Sequence, residues 1–440
     1  MAMIRPETEM KDSGVQWIGS IPNDWKTTAI KRLCNDVYPG ATPKSNEPSY
    51  WDGNIPWIPS GSCHDCEIVH APKYITELGF ANSSTKMIPA NNPVLAMTGA
   101  TCGNTGFVTF DTCANQSVAA YIVKNTESPK YIWYALRAAN EYIETRKTGG
   151  AQGGINTEDC KNIPIPYMHL SEQQAIADYL DDTCSKIDAI IAEAKASIEE
   201  YKELKQAVIF EAVTKGIDKT VEMKESGVEG MGTIPKTWAI ARFMKSNYVR
   251  ARLGWKGLKA EEYVDDGYPF LSAFNIINSH LSWSEVNHIT QERYDESPEI
   301  KLSIGDLVLV KDGAGIGKCA RIDEMPLGEA TVNSSLSVIT PGDSLDYRYE
   351  YYYFMSPLFQ NIISRLKNGM GVPHLTQESM KDIYLPLPDI DEQRSIADFL
   401  DSKVVELDSL LSEKDELVSD LEAYKKSLIY EVVTGKRRVV

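Results

Sequence analysis

Glu172-Gln173-Gln174-Ala175-Ile176-Ala177-Asp178-Tyr179-Leu180-Asp181 returns 220 residues later as Glu392-Gln393-Arg394-Ser395-Ile396-Ala397-Asp398-Phe399-Leu400-Asp401. Each copy follows a proline-alternating stretch, Ile163-Pro164-Ile165-Pro166 and Leu385-Pro386-Leu387-Pro388. Further upstream, Ser13-Gly14-Val15 through Ile21-Pro22 and Trp25 returns at an offset of 213 as Ser226-Gly227-Val228 through Ile234-Pro235 and Trp238. Stacked solenoid repeats have periods of about 20–50 residues, so this is something else. It is a duplicated unit of globular segment plus helix, and two such units can fold with approximate twofold symmetry.

The helical part of each copy is long. Ser171-Glu172-Gln173-Gln174 has capping-box spacing after a proline stretch that cannot be helical, and Asp391 is the equivalent cap in the second copy. Apolar positions then alternate by four and three: Ile187, Ile191, Ala194, Ile198, Tyr201, Lys205, Val208, Ala212. The second copy reads Leu407, Leu411, Lys414, Val418, Leu421, Lys425, Leu428, Val432. This is a heptad seam, and a helix carrying one needs a partner. The nearest partner is the other copy, and a twofold perpendicular to the axes makes the pair antiparallel, with the globular parts at opposite ends. Lys205 and Lys425 hold matching seam positions and are expected to set register.

Four segments follow: globular 1–167, helical 168–216, globular 217–388 and helical 389–440. The globular segments show short apolar runs between turn signals. Expected strands are Pro93–Met97, Ser117–Val123, Asp306–Val310 and Leu336–Ile339, and expected helices are Lys130–Tyr142 and Tyr347–Leu358. The fold class is α+β, two globular domains with mixed β-sheets separated by two long α-helices in an antiparallel coiled coil.

Composition sets the outer bounds. The formal charge of −17 argues at first sight against a nucleic-acid partner. Its location changes that reading: residues 170–216 hold ten acidic and five basic side chains, and residues 389–440 hold thirteen and eight. The globular parts are left only mildly acidic, with room for basic patches. Seven of the eight cysteines fall at or before Cys184, which no disulfide framework shared by both repeats would give, so reduced thiols in a cytoplasm are expected. No apolar run reaches membrane-span length, and the opening MAMIRPETEMKDSG has no apolar signal core.

The two helix strings and the proline stretches before them resemble the conserved regions of the specificity subunit of Type I DNA restriction-modification systems. So do Tyr38-Pro39-Gly40-Ala41-Thr42-Pro43 with Tyr50-Trp51-Asp52-Gly53-Asn54-Ile55-Pro56-Trp57-Ile58, and Arg252-Leu253-Gly254-Trp255-Lys256-Gly257-Leu258, which resemble the openings of target recognition domains. The resemblance covers nearly the whole chain. It implies a non-catalytic subunit that reads a split double-stranded DNA target, one half per globular domain. It also implies a scaffold for two modification subunits that methylate adenine, and for restriction subunits. S-adenosylmethionine, ATP and Mg then belong to the partners, with no cofactor in this chain. The helix agrees in scale: residues 185–213 span roughly 43 Å, against about 34–36 Å between half-sites read from one face. An enzyme (a single-chain methyltransferase or nuclease) and a plain coiled-coil spacer are the competing readings.

Candidate DNA contacts in the first domain are Lys44, Tyr50 and Trp51, then Arg146, Lys147, Gly149, Gly150, Gln152 and Asn156 in the 146–156 loop. Glycines let backbone approach phosphate, Gln or Asn can bond adenine bidentately, and Arg or Lys hold phosphate or guanine. Trp51 and Trp57 also read as core. In the second domain the candidates are Arg250, Arg252, Trp255, Lys256 and Lys259, and Arg365, Lys367, Asn368 and His374 in the loop matching 146–156. Lys311 and Lys318 flank Gly313-Ala314-Gly315-Ile316-Gly317, which lacks Walker spacing and reads as a turn between strands with both lysines toward phosphate. Glu172, Gln173, Asp178, Glu392, Gln393 and Asp398 are expected exposed, in the surface that docks modification subunits. Cys63-His64-Asp65-Cys66 with His70 has no second pair at zinc-finger spacing. Asn91-Asn92-Pro93-Val94 is not an adenine-methyltransferase motif, and Glu299-Ile300-Lys301 lacks a nuclease setting.

Overall fold

The computed structural model describes residues 3–149, 153–252, 258, 260–368 and 374–439. It divides into two compact units, one of Met1–Lys195 with Glu416–Val440 and one of Ala196–Asp415. Each unit holds a globular part and a stretch of each long helix, Leu170–Lys215 and Ile390–Val433.

In the first unit a five-stranded mixed sheet runs in the order Cys34–Pro39, Val118–Val123, Asn92–Ala96, Thr105–Val108, Cys66–Ile68, the last pair parallel. A three-stranded sheet of Cys113–Ala114, Trp51–Ile58 and Lys73–Ile75 accompanies it. Ile58, Ile68, Val94, Val108 and Val118 form the core. The central strands are buried along their length, which is why they read as continuous apolar runs rather than alternating ones. The second unit repeats the plan with Asn247–Arg250, Leu336–Pro341, Leu307–Val310 and Cys319–Arg321, and with Asn287–Ile289, Tyr268–Leu271 and Thr331–Val332.

Each expected helix of the globular parts is two helices. Pro129–Ala138 is followed by Asn140–Arg146, and Tyr347–Met355 by Pro357–Asn368. Pro357 drives the second break, because a residue before proline is disfavoured in the α region and Ser356 is extended, with ψ 149°. Arg146, Arg365 and Lys367, expected in loops, therefore close helices, where cations meet the carbonyl end of the dipole.

The proline stretches are strands: Pro164–Tyr167 pairs with Lys26–Ala29, and Tyr384–Leu387 with Ala239–Arg242. Proline at alternate positions of a two-stranded ribbon removes only donors that the ladder does not use. Two of the proline carbonyls accept from tyrosine hydroxyls, Pro166 from Tyr131 at 2.8 Å and Pro386 from Tyr349 at 3.0 Å.

The long helices start two residues earlier than expected, at Leu170 and Ile390. Ser171 N bonds His169 Nδ1, and Glu392 N bonds Asp389 Oδ1 at 2.9 Å, so His169 and Asp389 cap, not Ser171 and Asp391. In the first unit Asp188 pairs with Lys425, and Lys195 with Glu422 at 2.9 Å. In the second, Lys205 donates to both Asp408 oxygens at 2.7 and 2.8 Å, and Gly216 lies beside Glu392. Within each unit one residue number rises as the other falls, so the helices run antiparallel. Ile187, Ile191, Ala194 and Ile198 are buried along the seam, as are Leu407, Val418, Leu428 and Val432. Lys205 and Lys425 each hold an acidic side chain of the facing helix.

The first unit also joins the two ends of the chain. Met3–Ile4 pairs antiparallel with Arg437–Arg438, and Gly435, at φ 74°, packs on Pro22 and Trp25. Gly216, at φ 75°, packs on Trp238 in the same way.

Candidate nucleic-acid interface

The Glu-Gln pair that opens each long helix faces inward. Trp25 Nε1 donates to Glu172 at 3.0 Å, and Trp238 Nε1 donates to Glu392 at 2.9 Å. Burial raises both carboxyl pKa values above the ordinary range, the indole bonds opposing the shift. Gln173 accepts from Ser128 N and donates to Met168 O and Glu127. Gln393 accepts from Asp346 N and donates to Pro388 O and Ser344 O. Both glutamines have no exposed surface. The expectation that Glu172, Gln173, Glu392 and Gln393 form an exposed docking surface is thereby corrected: they pin each helix to its globular part. Asp178 and Asp398 are exposed, Asp398 in an ion pair with Arg348 at 2.7 Å.

At one end of each unit four loops meet through backbone hydrogen bonds. In the first unit Asn115 N bonds Ile58 O at 3.0 Å, Met97 N bonds Ser117 O at 2.7 Å, and Ile155 N bonds Met97 O at 2.9 Å. In the second, Asn333 N bonds Leu271 O at 2.8 Å, Lys311 N bonds Ser335 O at 2.9 Å, and Leu375 N bonds Lys311 O at 2.9 Å. The ladder is the same, rung for rung. Asn115 and Asn333 also accept from the backbone of Ser117 and Ser335, the Asx arrangement that closes a tight turn. Gly99 and Gly103 hold positive φ in the first hairpin loop, as Gly313 and Gly317 do in the second, so only backbone approaches at those points.

This rim gathers several of the expected residues. Gly154 reaches it through a bridge to Thr98, Thr148 through a bridge to Gly154, and His374 through a bridge to Asp312. Lys311 and His374 both bond the Asp312 carboxylate. Burial pushes that carboxyl up, but the two bonds outweigh it and hold the pKa below the usual value. Lys318 is exposed. Side chains at the same rungs differ between units: Met97 against Lys311, Thr98 against Asp312, Asn104 against Lys318, exposed Gln116 against exposed Ser334. Sequence reasoning missed Gln116 and Ser334. The signal was present in Asn115-Gln116-Ser117 and Asn333-Ser334-Ser335, each repeated before an apolar strand at an offset of 218.

Other expected contacts serve the fold. The Arg250 guanidinium donates to both oxygens of Asp306 at 2.9 Å, to the carbonyls of Glu299 and Lys301, and to Thr340. Arg252 is buried against Glu296 at 3.5 Å. Both are corrected from DNA contact to internal ion pairs. Asn156 caps the helix Thr157–Lys161, its Oδ1 accepting from Asp159 N at 2.9 Å. Trp57 is core, with Trp51 edge-on to it at 5.3 Å and half-buried beside Tyr50. Trp51 Nε1 donates to Lys44 O, and the Lys44 side chain is exposed. Arg146 is exposed and stacks on Tyr142, lining a cavity of about 1040 Å³ with Trp17, Arg137, Lys426 and Tyr430. Lys147 pairs with Glu144, Arg365 with Glu229 at 2.7 Å, and Lys367 is half-buried. Gly149 holds φ 95°. Gly150, Gln152, Trp255, Lys256 and Lys259 lie outside the described residues, and Asn368 ends its helix. Cys63 is buried in the core, with its thiol pushed up to about 12 by burial, while Cys66 is exposed. No group that could hold a metal ion occurs among the described residues. No described helix is long and apolar enough to cross a membrane.

The family model of the Type I restriction modification DNA specificity domain matches residues 22–200 and 255–416, well over half the chain. The chain belongs to this family, whose members are sequence-recognition subunits rather than catalysts. It is similar to the Type I restriction enzyme MjaIX specificity subunit of Methanocaldococcus jannaschii, 25% identical over all of this chain and 99% of that one. The MjaVIII specificity subunit of the same organism is 25% identical over 70% of each chain. Among solved structures, a chain from work on complex assembly and conformational transition of the type I R-M system covers 94% of this chain and 99% of its own. Its TM-score is 0.73 at 15% identity. The HsdS subunit from Thermoanaerobacter tengcongensis, also at 15% identity, covers 94% and 98% with a TM-score of 0.51. These likenesses bear on the fold.

Proposed function

We propose that the loop rim of each unit reads one half of a bipartite DNA target. The observation that carries this is the ladder common to both units, which presents unlike side chains at matching rungs. Two readers with one frame and two chemistries suit two different half-sites. Polar Thr98, Asn104 and Gln116 on one rim, and Lys311, Lys318, Ser334 and His374 on the other, supply donors and acceptors for base edges and phosphates. Positive-φ glycines keep the backbone open to close approach. Lys44, Arg146, Lys147, Arg365 and Lys367 add further phosphate contacts.

The chain assembles with other subunits of a restriction-modification complex: two adenine-methylating modification subunits, and restriction subunits. S-adenosylmethionine, ATP and Mg enter with those partners. Asp178, Asp398 and the exposed apolar Ile190, Phe399 and Val405 remain on outer helix faces to receive the modification subunits.

The test is methylation mapping at single-base resolution with the chain co-expressed beside its modification subunit. A split motif with one modified adenine per half is expected. Replacing Gln116 by Ser should alter one half only, and Ser334 by Gln the other. Methylation indifferent to both substitutions would overturn the rim assignment.

A further inference from the structure

One large apolar side chain of the second unit stands almost wholly in solvent. Phe274 is 93% exposed. It sits in the 3-10 turn Ala273–Asn275, directly after the strand Tyr268–Leu271. The turn is firmly seated. Ser272 and Asn275 form a reciprocal capping box, with Ser272 N donating to Asn275 at 2.9 Å. Leu271, Asn275 and Ile276 are buried around it. Phe274 is therefore held out by a rigid turn. Ile277, also exposed, follows three residues later.

The place of this turn in the fold gives it a direction. Leu271 O is the first rung of the rim ladder, accepting from Asn333 N. Thr331–Val332, parallel to Tyr268–Leu271, runs into the Asn333–Ser335 turn, and that turn holds Lys311. Phe274 thus leaves the same end of the unit as Lys311, Lys318 and His374. The first unit has the matching 3-10 turn, Ser60–Ser62 after Ile58, and its central residue is Gly61. A Cβ built on Gly61 meets nothing within 4 Å. The first rim has the space for a side chain at this rung but carries none.

We propose that Phe274 is an apolar wedge that enters a base step of the half-site read by the second unit, unstacking it. This rests on the rim being the DNA face. Apolar side chains of this kind kink a duplex by partly separating stacked bases, and flexible pyrimidine–purine steps yield most readily. Phosphate contact from Lys318 steadies the backbone beside the insertion. The wedge gives the second half-site a preference for a deformable step that no hydrogen bond reads, and the first half-site has none.

The test uses the full chain assembled with its modification subunits, and duplexes of the mapped target with 2-aminopurine at successive positions other than the methylated adenine. The wild type should raise fluorescence several-fold at one step, confined to one half-site. Phe274→Gly should abolish that rise and weaken binding about tenfold, the order expected from losing one aromatic–base stack. Phe274→Leu should keep most of both. Gly61→Phe should create a second responsive step in the other half-site. No responsive step in the wild type, or one that survives Phe274→Gly, overturns the wedge. If Lys318→Ala still weakens binding in that case, the rim stands without it. If neither Lys318→Ala nor Gln116→Ala alters affinity or target, the rim reading falls and the wedge with it.

Discussion

Arg250 is the residue where sequence and structure assign opposite roles, and its replacement separates them. Its guanidinium meets a carboxylate, Asp306, that is only 1% exposed, and it also holds two backbone carbonyls and a hydroxyl. Arg250→Met removes the cation and leaves the Asp306 charge inside the domain. Breaking a buried pair from one side costs about 3–5 kcal/mol. Replacing both partners, Arg250→Met with Asp306→Leu, removes the stranded charge. What then remains is the unmet need of the Glu299 and Lys301 carbonyls and of Ser303 N, which donates to Asp306. Each such lost bond is worth about 1 kcal/mol. The double variant should therefore be no less stable than the single one, a non-additivity that a double-mutant cycle reads directly. Urea unfolding of the full chain gives the midpoints, and DNA affinity is measured well below them on fully folded protein. A tenfold loss of affinity for Arg250→Met with no change in the unfolding midpoint would refute the internal assignment.

Three further outcomes follow from the same structure. Glu350 is fully buried with one carboxyl oxygen unpartnered, and burial raises its pKa to about 8, partly opposed by a bond from Asn247. The unfolded carboxyl ionises near its ordinary value of 4.5 while the folded one stays protonated, so stability falls as pH rises from there to about 8. The loss is about 3 kcal/mol at pH 7, and Glu350→Gln should remove that slope in urea titrations at pH 5 and pH 8. Gln393→Ala strips partners from Asp346 N and two carbonyls, and should cost about 1–3 kcal/mol in thermal unfolding while the methylated sequence stays the same. Gln116→Ala, on an exposed turn, should leave the unfolding midpoint unchanged within about 0.5 kcal/mol while the modified sequence changes.

The parts of this fold legible in the sequence are those whose causes are local or periodic. A heptad seam and a repeated string are visible without coordinates, and the antiparallel pairs Lys195–Glu422 and Lys205–Asp408 agree with the expected pairing. Apolar runs between turn residues marked the central strands. Errors arose where a partner lies far away in sequence. Glu172 reads as exposed in the first turn of an acidic helix, yet its indole partner is 147 residues away. Arg250 and Arg252 read as a basic patch because Asp306 and Glu296 cannot be seen from residue 250. The rim was only half visible, since its rungs are backbone groups and any residue with an N–H and a C=O can supply them. Its glycine loops were found from composition, and the Asn-x-Ser turns that lock them together were not.

The two demands on this chain, to keep folding and to keep changing what it presents, fall on different atoms. The rungs of each rim are amide and carbonyl groups common to nearly all residues, and the adjoining Asn and Ser turns are short. Gln116, Ser334, Lys318 and Phe274 are exposed. On the rim reading proposed above, a new side chain there alters the target without testing the architecture. If the rims read DNA, a substitution at one of these exposed positions changes one half of the target at little cost in stability, and the two rims can differ while the helices beneath them stay alike.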